Sequence, residues 1–467
     1  MLFRSMEPKR SPIIALATAK GRASVGIIRL SGDGVLEIAR NLLGNFPKPR
    51  HATLECFRDK NGDPIDQGLA IYFPGPNSYT GEDVLEFQCH GSVAALDLMI
   101  DRCLELGHSI GLRLAKPGEF TERAFLNGKI DLAQAEAIAD LIDASSSLAA
   151  KGAAKSLTGN FSIKIHQFLE ALIELRALTE ATLDFPEEEI DFIKQHDVQG
   201  RLEAIAKKIS EIKESAQQGS IVRDGITVVL AGQPNVGKSS LLNALAGQDV
   251  AIVTSVAGTT RDRLKETILL DGIPLHIIDT AGLRDTTDEV EQIGIERTWS
   301  SIEQADVVLL LMDAQDGFDI NLGNRELINQ IEAKLGKHVP VKLVWNKADL
   351  LDQYPESSND RFYISAKQLQ GLSHLKEALL QVAGWHPESE GIIFARKRHI
   401  EALNEAQTFI LNAIDLVPAG IAKANNSRTI LVASSRSNLG LVLVTTSFLH
   451  ELSIKAADVM IIAVKIL

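Results

Sequence analysis

Short apolar runs alternate with glycine- and proline-rich turns along the first 128 residues. The runs have the length of strands, and the segments between them contain the residues that turns require. We therefore predict a mixed α/β domain over residues 1–128. The clearest runs are residues 13–17, 25–30, 69–73 and 84–87.

The pattern changes after residue 128, where alanine- and leucine-rich stretches repeat with helical spacing. Residues 132–142 and 168–183 carry apolar positions three and four apart, which predicts long amphipathic helices over residues 129–222. Residues 223–383 return to strand and helix patterns, and helical spacing resumes at residues 396–416. We predict that residues 384–467 complete a helical domain that is interrupted by the α/β domain of residues 223–383.

Residues 232–239 read Gly-Gln-Pro-Asn-Val-Gly-Lys-Ser, the G-x-x-x-x-G-K-S pattern of a phosphate-binding loop. An apolar run precedes the loop and a helix pattern follows it, which is the setting that the pattern needs. Backbone amides and Lys238 would then meet phosphate oxygens, and the Ser239 hydroxyl would ligate Mg²⁺. The predicted nucleotide contacts in this segment are Gly232, Asn235, Val236, Gly237, Lys238, Ser239 and Ser240.

Guanine recognition is indicated by Asn346-Lys347-Ala348-Asp349, an N-K-x-D pattern at the end of an apolar run. The Asp349 carboxylate can accept two hydrogen bonds from guanine N1 and N2, and adenine has no such pair of donors. A site built on such bonds rejects the wrong base by about 10⁴ or more. The next apolar run ends in Ser365-Ala366-Lys367, whose backbone amides are predicted to meet the guanine O6.

A third signal, Asp279-Thr280-Ala281-Gly282, has the D-x-x-G form. Asp279 is predicted to hold Mg²⁺ through water, and the Gly282 amide to face the γ-phosphate. These patterns occur in the order that a Ras-like GTPase requires, each at the end of a predicted strand. They predict a domain that binds GTP and GDP.

The residue that orients the attacking water is not in its usual place. Leu283 follows D-x-x-G where small GTPases such as Ras have a glutamine, and leucine offers no polar group. The water must be oriented from elsewhere, and the polar segment 284–291 offers the candidates, among them the carboxylate of Glu291. A solvated charge at a helix start remains the alternative for Glu291.

The negative charge that develops on the phosphates in the transition state needs a second cation besides Lys238. Other GTPases use an arginine side chain for this purpose. Asn235 lies within the phosphate loop, and residues 254–260 form a small, turn-rich segment whose carbonyl groups could surround an ion. One hypothesis is K⁺, and Arg261 and Arg284 are the competing arginines. The K⁺ ligands would be Asn235, Thr254, Val256 and Thr259, which leaves Thr260 as the switch threonine on Mg²⁺.

Composition limits the compartment and the partners. The 467 residues are enough for about three domains, and no apolar stretch reaches the ~18 residues of a membrane helix. Residues 1–11 show no secretory signal, and three cysteines are too few for a disulfide framework, so we expect a cytoplasmic protein. A net charge of −13 argues against a general basic surface, so RNA binding must be local. The tightest basic cluster, residues 396–399, is equally well explained as a solvated helix start.

Three longer segments of the first domain, residues 21–32, 76–86 and 116–129, add to the GTPase patterns. Together they closely resemble the MnmE (TrmE) family of tRNA uridine-modification GTPases, over residues 11–418. The resemblance implies a K⁺-activated GTPase that works in a heterotetramer with an FAD-dependent partner of the MnmG kind. The implied reaction adds an aminomethyl or carboxymethylaminomethyl group to carbon 5 of the wobble uridine of tRNA.

The resemblance also implies properties of individual domains. The first domain would have the fold of folate-dependent one-carbon enzymes, form a homodimer and bind a 5-formyl- or 5,10-methylene-tetrahydrofolate. Its folate contacts fall on Arg29, Glu86 and Lys129. The family assigns the water-orienting glutamate to Glu291, with Arg284 nearby, and the K⁺ ligands to the four residues named above.

The carboxyl end departs from the family pattern. Members end in Cys-Ile-Gly-Lys, whereas this chain ends in Val464-Lys465-Ile466-Leu467, and residues 420–467 lose helical periodicity. We expect residues 420–467 to be disordered or poorly packed, which would affect uridine modification but not GTP hydrolysis.

Two other functions would each account for part of the sequence. An Era-like switch in ribosome assembly or RNA binding leaves the segments within residues 11–128 unexplained. A stand-alone folate-dependent methyltransferase leaves the GTPase patterns without a use.

Overall fold

The structure is a computed structural model that describes residues 10–184, 197–247, 265–279, 305–320, 325–326, 328–329, 333, 339–386 and 392–433. For residues 180–184, 265–266, 279 and 416–433 the description covers the backbone. The chain forms two compact units, Met1–Ala135 and Glu136–Leu467. Each unit is described separately below.

A mixed sheet forms the first unit. Its elements are β1 (Ile13–Leu16), β2 (Ala23–Ser31), α1 (Val35–Leu43), β3 (Thr53–Arg58), β4 (Pro64–Phe73), β5 (Val84–Gly91), α2 (Val93–Leu106), a 3-10 turn (His108–Ile110), β6 (Arg113–Leu114) and α3 (Glu119–Leu126). The strand order is β3-β4-β5-β2-β1-β6, and among these pairs only β1 and β6 run parallel. Leu85, Phe87 and Cys89 alternate inward along β5 and pack with α1 and α2, as one buried sheet face requires. The strands predicted from residues 13–17, 25–30, 69–73 and 84–87 are confirmed.

The second unit joins long helices to a second sheet. Its elements are α4 (Leu132–Asp143), which begins before the boundary between the units, α5 (Ser147–Leu157), α6 (Asn160–Asp184), α7 (Val198–Asp224), β7 (Ile226–Gly232), α8 (Lys238–Ala246), β8 (Lys265–Leu270), β9 (Ile273–Asp279), β10 (Val307–Asp313), a 3-10 turn (Ala314–Asp316), β11 (Val341–Asn346), a 3-10 turn (Ala348–Leu350), β12 (Arg361–Tyr363), α9 (Leu372–Val382) and α10 (Lys397–Ala433). The helices predicted near residues 132–142, 168–183 and 396–416 are therefore present.

The second sheet has the order β12-β11-β10-β7-β9-β8. Its strands are parallel except β8, which forms an antiparallel hairpin with β9. Residues 307–311 of β10 are all fully buried, because a parallel strand covered on both faces has no solvent side. After β7 the chain forms β8 and β9 on one side of that strand and then crosses to form β10 on its other side, so the direction in which strands are added reverses at β7. In open α/β sheets the carboxyl end of the strands at such a reversal is where ligands bind.

The helices and the second sheet share one hydrophobic core. Ala149 of α5, Val222 of α7 and Phe394 belong to the same cluster as Val228 of β7 and Leu275 of β9. Backbones also approach closely at Gly219 of α7, where an added Cβ would lie 1.8 Å from the Ile393 carbonyl oxygen. The segment that returns from the sheet to α10 is thus packed against α7.

Helices α7 and α10, which lie before and after the second sheet in the sequence, also contact each other directly. Gln407 of α10 accepts a hydrogen bond from Lys213 of α7 at 2.9 Å and donates one to Ser210 at 3.2 Å. Helices that precede and follow the sheet in sequence therefore pack together.

The carboxyl end differs from the prediction over part of its length. Helix α10 runs to Ala433, whereas the sequence pattern predicts a loss of helix from residue 420. Extending a formed helix costs little, and residues such as Ala422, Lys423 and Ala424 favour it even without an apolar stripe. Residues 434–467, on which the rest of this prediction falls, lie outside the described residues.

Candidate nucleotide-binding site

The phosphate loop joins β7 to α8 through backbone conformations that favour glycine. Asn235 and Gly237 have φ values of 64° and 96°, and Gly237 caps the amino end of α8. The first amides of a helix lack partners within the helix and favour an anion. The Lys238 ammonium donates to the Gly232 carbonyl at 2.8 Å, which folds the lysine back over the loop. Asn235 in the loop and Ser239 in the first turn of α8 are both exposed. These residues fit a bound phosphate chain.

Asn346 connects the phosphate loop to the loop after β12. Its carboxamide nitrogen donates to the Val236 carbonyl at 2.9 Å, and its oxygen accepts from the Ala366 amide at 3.0 Å. The side chain is 3% exposed. Removing a buried group with both halves paired leaves its partners unsatisfied, at about 1–3 kcal/mol each. Asn346 therefore fixes the distance between the phosphate and base loops.

Asp349 lies half-buried in the 3-10 turn that follows Asn346. The turn is anchored to the neighbouring loop because the Ala348 amide donates to the Ile364 carbonyl at 3.0 Å. The Gln368 side chain lies 3.5 Å from one Asp349 oxygen, at the outer limit of a hydrogen bond. A half-buried carboxylate on a fixed turn is suited to accept hydrogen bonds from a base edge.

The backbone amides of Ser365 and Ala366 are already hydrogen-bonded, which differs from their predicted role at the base. Ser365 donates to the Gln370 carbonyl at 3.0 Å, and Ala366 donates to Asn346. The reason is that the buried Asn346 oxygen needs a donor. Contact of the base with these two amides would require these bonds to be exchanged. For the Ser365-Ala366-Lys367 run, the direct contact with guanine O6 remains a prediction.

Asp313 is a residue of this site that the sequence reasoning missed. It ends β10, is the register partner of Asn346 in β11, and lies 2.5 Å from the Lys347 ammonium. The sequence carries a signal for it, because Asp313 directly follows the uninterrupted apolar run 307–312, which has the length of a buried strand. Polar residues at the carboxyl ends of such strands line ligand sites.

Most of the predicted switch and ion-binding residues lie outside the described residues. They are Thr254, Val256, Thr259, Thr260, Arg261, Gly282, Arg284 and Glu291. For Asp279 the structure describes the backbone, which ends β9 opposite Leu230 of β7. The D-x-x-G segment thus begins beside the strand that leads into the phosphate loop.

In the first unit, the three residues predicted to contact folate border one loop, residues 74–83. Arg29 of β2 and Glu86 of β5 are register partners and form an ion pair at 2.7 Å. The Arg29 guanidinium carbon lies 5.2 Å from the Tyr79 ring and 5.9 Å from the Phe120 ring. Lys129 is exposed beside Gly81, where an added Cβ would lie 3.2 Å from the lysine Cγ. Two cations, one carboxylate and two rings would suit an aromatic ligand that carries carboxylates.

A buried ionic cluster holds the same loop. Arg123 is 2% exposed and bonds to Glu82 in the loop at 3.0 Å and to Glu119 at 2.9 Å. Arg113 bonds to Glu119 at 2.6 Å, and this bond lowers the pKa of Glu119 to about 2 although burial opposes ionisation. The cluster is therefore built to keep Glu119 charged.

Glu119→Gln should remove an acid-dependent part of the stability of the first unit. The native pKa of Glu119 lies below its ordinary value, so its contribution is present above about pH 4.5 and lost as the pH falls toward 2. The stability difference between the wild-type protein and the variant should thus be largest near neutral pH and shrink below pH 4.5. Amide hydrogen exchange in peptides from β5, corrected for the intrinsic rate at each pH, measures it. Glu122→Gln, on the exposed side of α3, is the control, and a difference independent of pH would contradict the prediction.

Models of two protein families match the chain in these two units. The model described as the GTP-binding protein TrmE N-terminus matches residues 12–129. The model described as the MnmE helical domain matches residues 132–442, which is more than half of the chain.

The chain belongs to the MnmE family.

Curated members of the MnmE family match the chain along most of its length. The tRNA modification GTPase MnmE of Acidovorax sp. (strain JS42) is 49% identical over 462 residues, which cover 95% of this chain and 99% of that protein. The protein of the same name from Thiobacillus denitrificans is 52% identical over 408 residues, covering 87% and 89% of the two chains. Among solved structures, a variant of Aquifex aeolicus Era bound to GDP and AlF4⁻ is 28% identical, covers 39% of this chain and 66% of its own, and has a TM-score of 0.26. A likeness that slight supports no conclusion.

Membership of the MnmE family gives the nucleotide site its role. The family consists of tRNA modification GTPases, so the loops joined by Asn346 belong to a GTP hydrolase. Neither the Era-like switch nor the stand-alone methyltransferase accounts for matches over both residues 12–129 and residues 132–442. Within the ranges that the structure describes, no helix combines the length and hydropathy needed to cross a bilayer.

Proposed function

We propose that this chain hydrolyses GTP in the course of tRNA modification, and that the modified position is carbon 5 of the wobble uridine. The observation that supports the hydrolase assignment most directly is the double hydrogen bond of Asn346, which joins the phosphate loop to the base loop. The names of the MnmE relatives support the tRNA assignment. An FAD-dependent partner of the MnmG kind and a cytoplasmic location belong to the same proposal.

In this proposal the roles of the loop residues follow from their chemistry. Lys238 would exchange its bond to the Gly232 carbonyl for the terminal phosphates. Asp349 would accept hydrogen bonds from the guanine edge. Ser239, Thr260 and Asp279 would hold Mg²⁺, which neutralises charge on the β- and γ-phosphates.

Activation by K⁺ is part of the proposal, because Asn235 occupies an exposed, left-handed position in the phosphate loop. Its amide oxygen and the groups of Thr254, Val256 and Thr259 are hard oxygen ligands, which suit an alkali cation. Glu291 would then orient the attacking water, with Arg284 nearby. GTP hydrolysis should be faster in K⁺ than in Na⁺ buffers of equal ionic strength, and equal rates would exclude a selective ion site.

Folate binding is proposed for the cluster around residues 74–83. The Arg29–Glu86 pair, the rings of Tyr79 and Phe120, and Lys129 fit a flat ring system with a carboxylate tail. The first unit would also form the homodimer, with the MnmG-like partner completing a heterotetramer. Calorimetry with 5-formyltetrahydrofolate should show weaker binding by Arg29→Gln than by wild type, and equal binding would remove Arg29 from the site.

The test of the overall function uses cells in which this chain is the only source of the activity. Mass analysis of their tRNA nucleosides should show modified wobble uridine. The Asp349→Asn variant, which should not use GTP, should leave the uridine unmodified. Unmodified uridine with the wild-type chain, despite measured GTP hydrolysis, would separate the GTPase from the proposed pathway.

A further inference from the structure

Lys347 is held in an uncommon conformation by a residue of another strand. Its φ and ψ are 66° and 29°, the left-handed region that non-glycine residues seldom adopt. Its ammonium group lies 2.5 Å from Asp313, and the side chains of the lysine and the aspartate are 33% and 15% exposed. The ion pair therefore joins two half-buried side chains at the carboxyl end of the sheet.

The strand register explains where the Lys347 side chain must run. Asp313 lies opposite Asn346, and Lys347 follows Asn346 directly. To reach Asp313, the lysine has to extend from the loop after β11 back toward β10. The contact with Asp313 therefore holds the lysine side chain on the β10 side of the loop that also carries Asn346 and Asp349.

Holding the lysine in this path changes the free energy of nucleotide binding. A free lysine side chain has about 2 kcal/mol of rotamer entropy, part of which is lost when it is ordered. Ordering it beforehand in the free protein removes that cost from the binding step. We propose that Asp313 is a positioning residue of the nucleotide site, which holds the Lys347 stem in place as a wall of the base pocket.

The two carboxylate oxygens of Asp313 have different hydrogen-bond partners, so substitutions can distinguish a role in positioning Lys347 from a role in stabilising the fold. One oxygen accepts from the Gln315 amide at 3.0 Å and caps the 3-10 turn, while the other bonds to Lys347. Asparagine caps about as well as aspartate but carries no charge. Asp313→Asn thus keeps the cap and removes the ion pair, whereas Asp313→Ala removes both.

The experiment is a double-mutant cycle with full-length protein, in which GDP and a non-hydrolysable GTP analogue are titrated. Asp313→Asn should weaken binding of both by about five- to tenfold, because the contact lies on the base side and not at the γ-phosphate. The rate at saturating GTP should stay unchanged, so the effect should fall on KM. Asp313→Asn combined with Lys347→Met should bind no more weakly than Lys347→Met alone. Asp316→Asn, an exposed carboxylate in the neighbouring turn, is the matched control and should bind as wild type does.

Two outcomes would overturn the inference. Additive losses in the cycle would mean that Asp313 acts independently of Lys347, and unchanged affinity in Asp313→Asn would mean that the ion pair does not position the lysine. Thermal unfolding of the nucleotide-free variants keeps folding apart from binding, since only Asp313→Ala should lower the midpoint appreciably. The inference rests on the proposed GTP hydrolysis. If wild type showed no preference for GDP over ADP, the proposed function itself would fail, whereas an additive cycle in a guanine-selective protein would remove only the role of Asp313.

Discussion

Asp349→Asn is expected to change the preferred substrate from GTP to xanthosine triphosphate. The Asp349 carboxylate offers two acceptors to the guanine N1 and N2 donors, whereas a carboxamide offers one acceptor and one donor. Xanthine carries an oxygen in place of the N2 amine and matches the carboxamide. Because an unmatched donor or acceptor in such a site is left without a partner, kcat/KM for GTP should fall by about 10³ or more. The kcat/KM for xanthosine triphosphate should rise in the same variant.

Steady-state hydrolysis of both nucleotides by wild type and variant measures this exchange. Asp352→Asn, in an exposed position three residues further along, is the matched control and should leave GTP hydrolysis unchanged. Loss of GTP hydrolysis without gain of xanthosine triphosphate hydrolysis would mean that Asp349 supports the loop without contacting the base. In that case the Gln368 contact with Asp349 would be the first place to look for its structural role.

Gly237→Ala is expected to weaken nucleotide binding by about 10²-fold or more. Gly237 has a φ of 96°, and an added Cβ would lie 2.2 Å from the carboxamide nitrogen of Asn346. The methyl group would break the bond from Asn346 to Val236, which is 2.9 Å long in the native loop. Left-handed strain of roughly 1–2 kcal/mol and a buried bond of roughly 1–3 kcal/mol together correspond to about a 10²-fold or greater loss of affinity.

Gly317→Ala separates the two parts of that effect. Gly317 has a φ of 90° and a ψ of 177°, a region in which alanine costs at least as much as in the left-handed region of Gly237, but no atom lies within 4 Å of its added Cβ. The control should therefore carry the conformational cost without the contact, and it should bind GDP within a few-fold of wild type by calorimetry. Equal losses in the two variants would show that backbone conformation decides the outcome and that contact with Asn346 does not.

The sequence predicts those parts of this structure that depend on neighbouring residues. Continuous apolar runs predict the strands β7, β9 and β11, and short polar patterns at the ends of β7 and β11 predict the phosphate and base loops. Long helices were predicted by periodicity, but α10 extends past residue 420 although the periodicity is lost there. Backbone hydrogen bonding propagates a helix without an apolar stripe, so the pattern of side chains is not a complete guide to where a helix ends.

Contacts between distant residues could not be predicted in the same way. Asn346 bonds to Val236, 110 positions earlier, and Arg123 bonds to Ser11, 112 positions earlier. The order of strands in a sheet decides such contacts, and the order was not part of the sequence prediction. The ion pair of Asp313 with Lys347 is a contact of this kind, since Asp313 ends β10 and Lys347 directly follows the adjacent strand β11. The family resemblance implies that Arg29 and Glu86 contact folate, but it does not predict the ion pair between them.

The hydrophobic core that the helices share with the second sheet determines where the chain can be truncated to isolate the nucleotide-binding domain. Ala149, Val222 and Phe394 all lie outside or at the edge of residues 223–383, yet they complete the packing of β7 and β9. A fragment cut to residues 223–383 would carry that apolar surface into water. A truncated nucleotide-binding module should therefore retain α5, α7 and the segment around Phe394, because a fragment without them will be prone to aggregate.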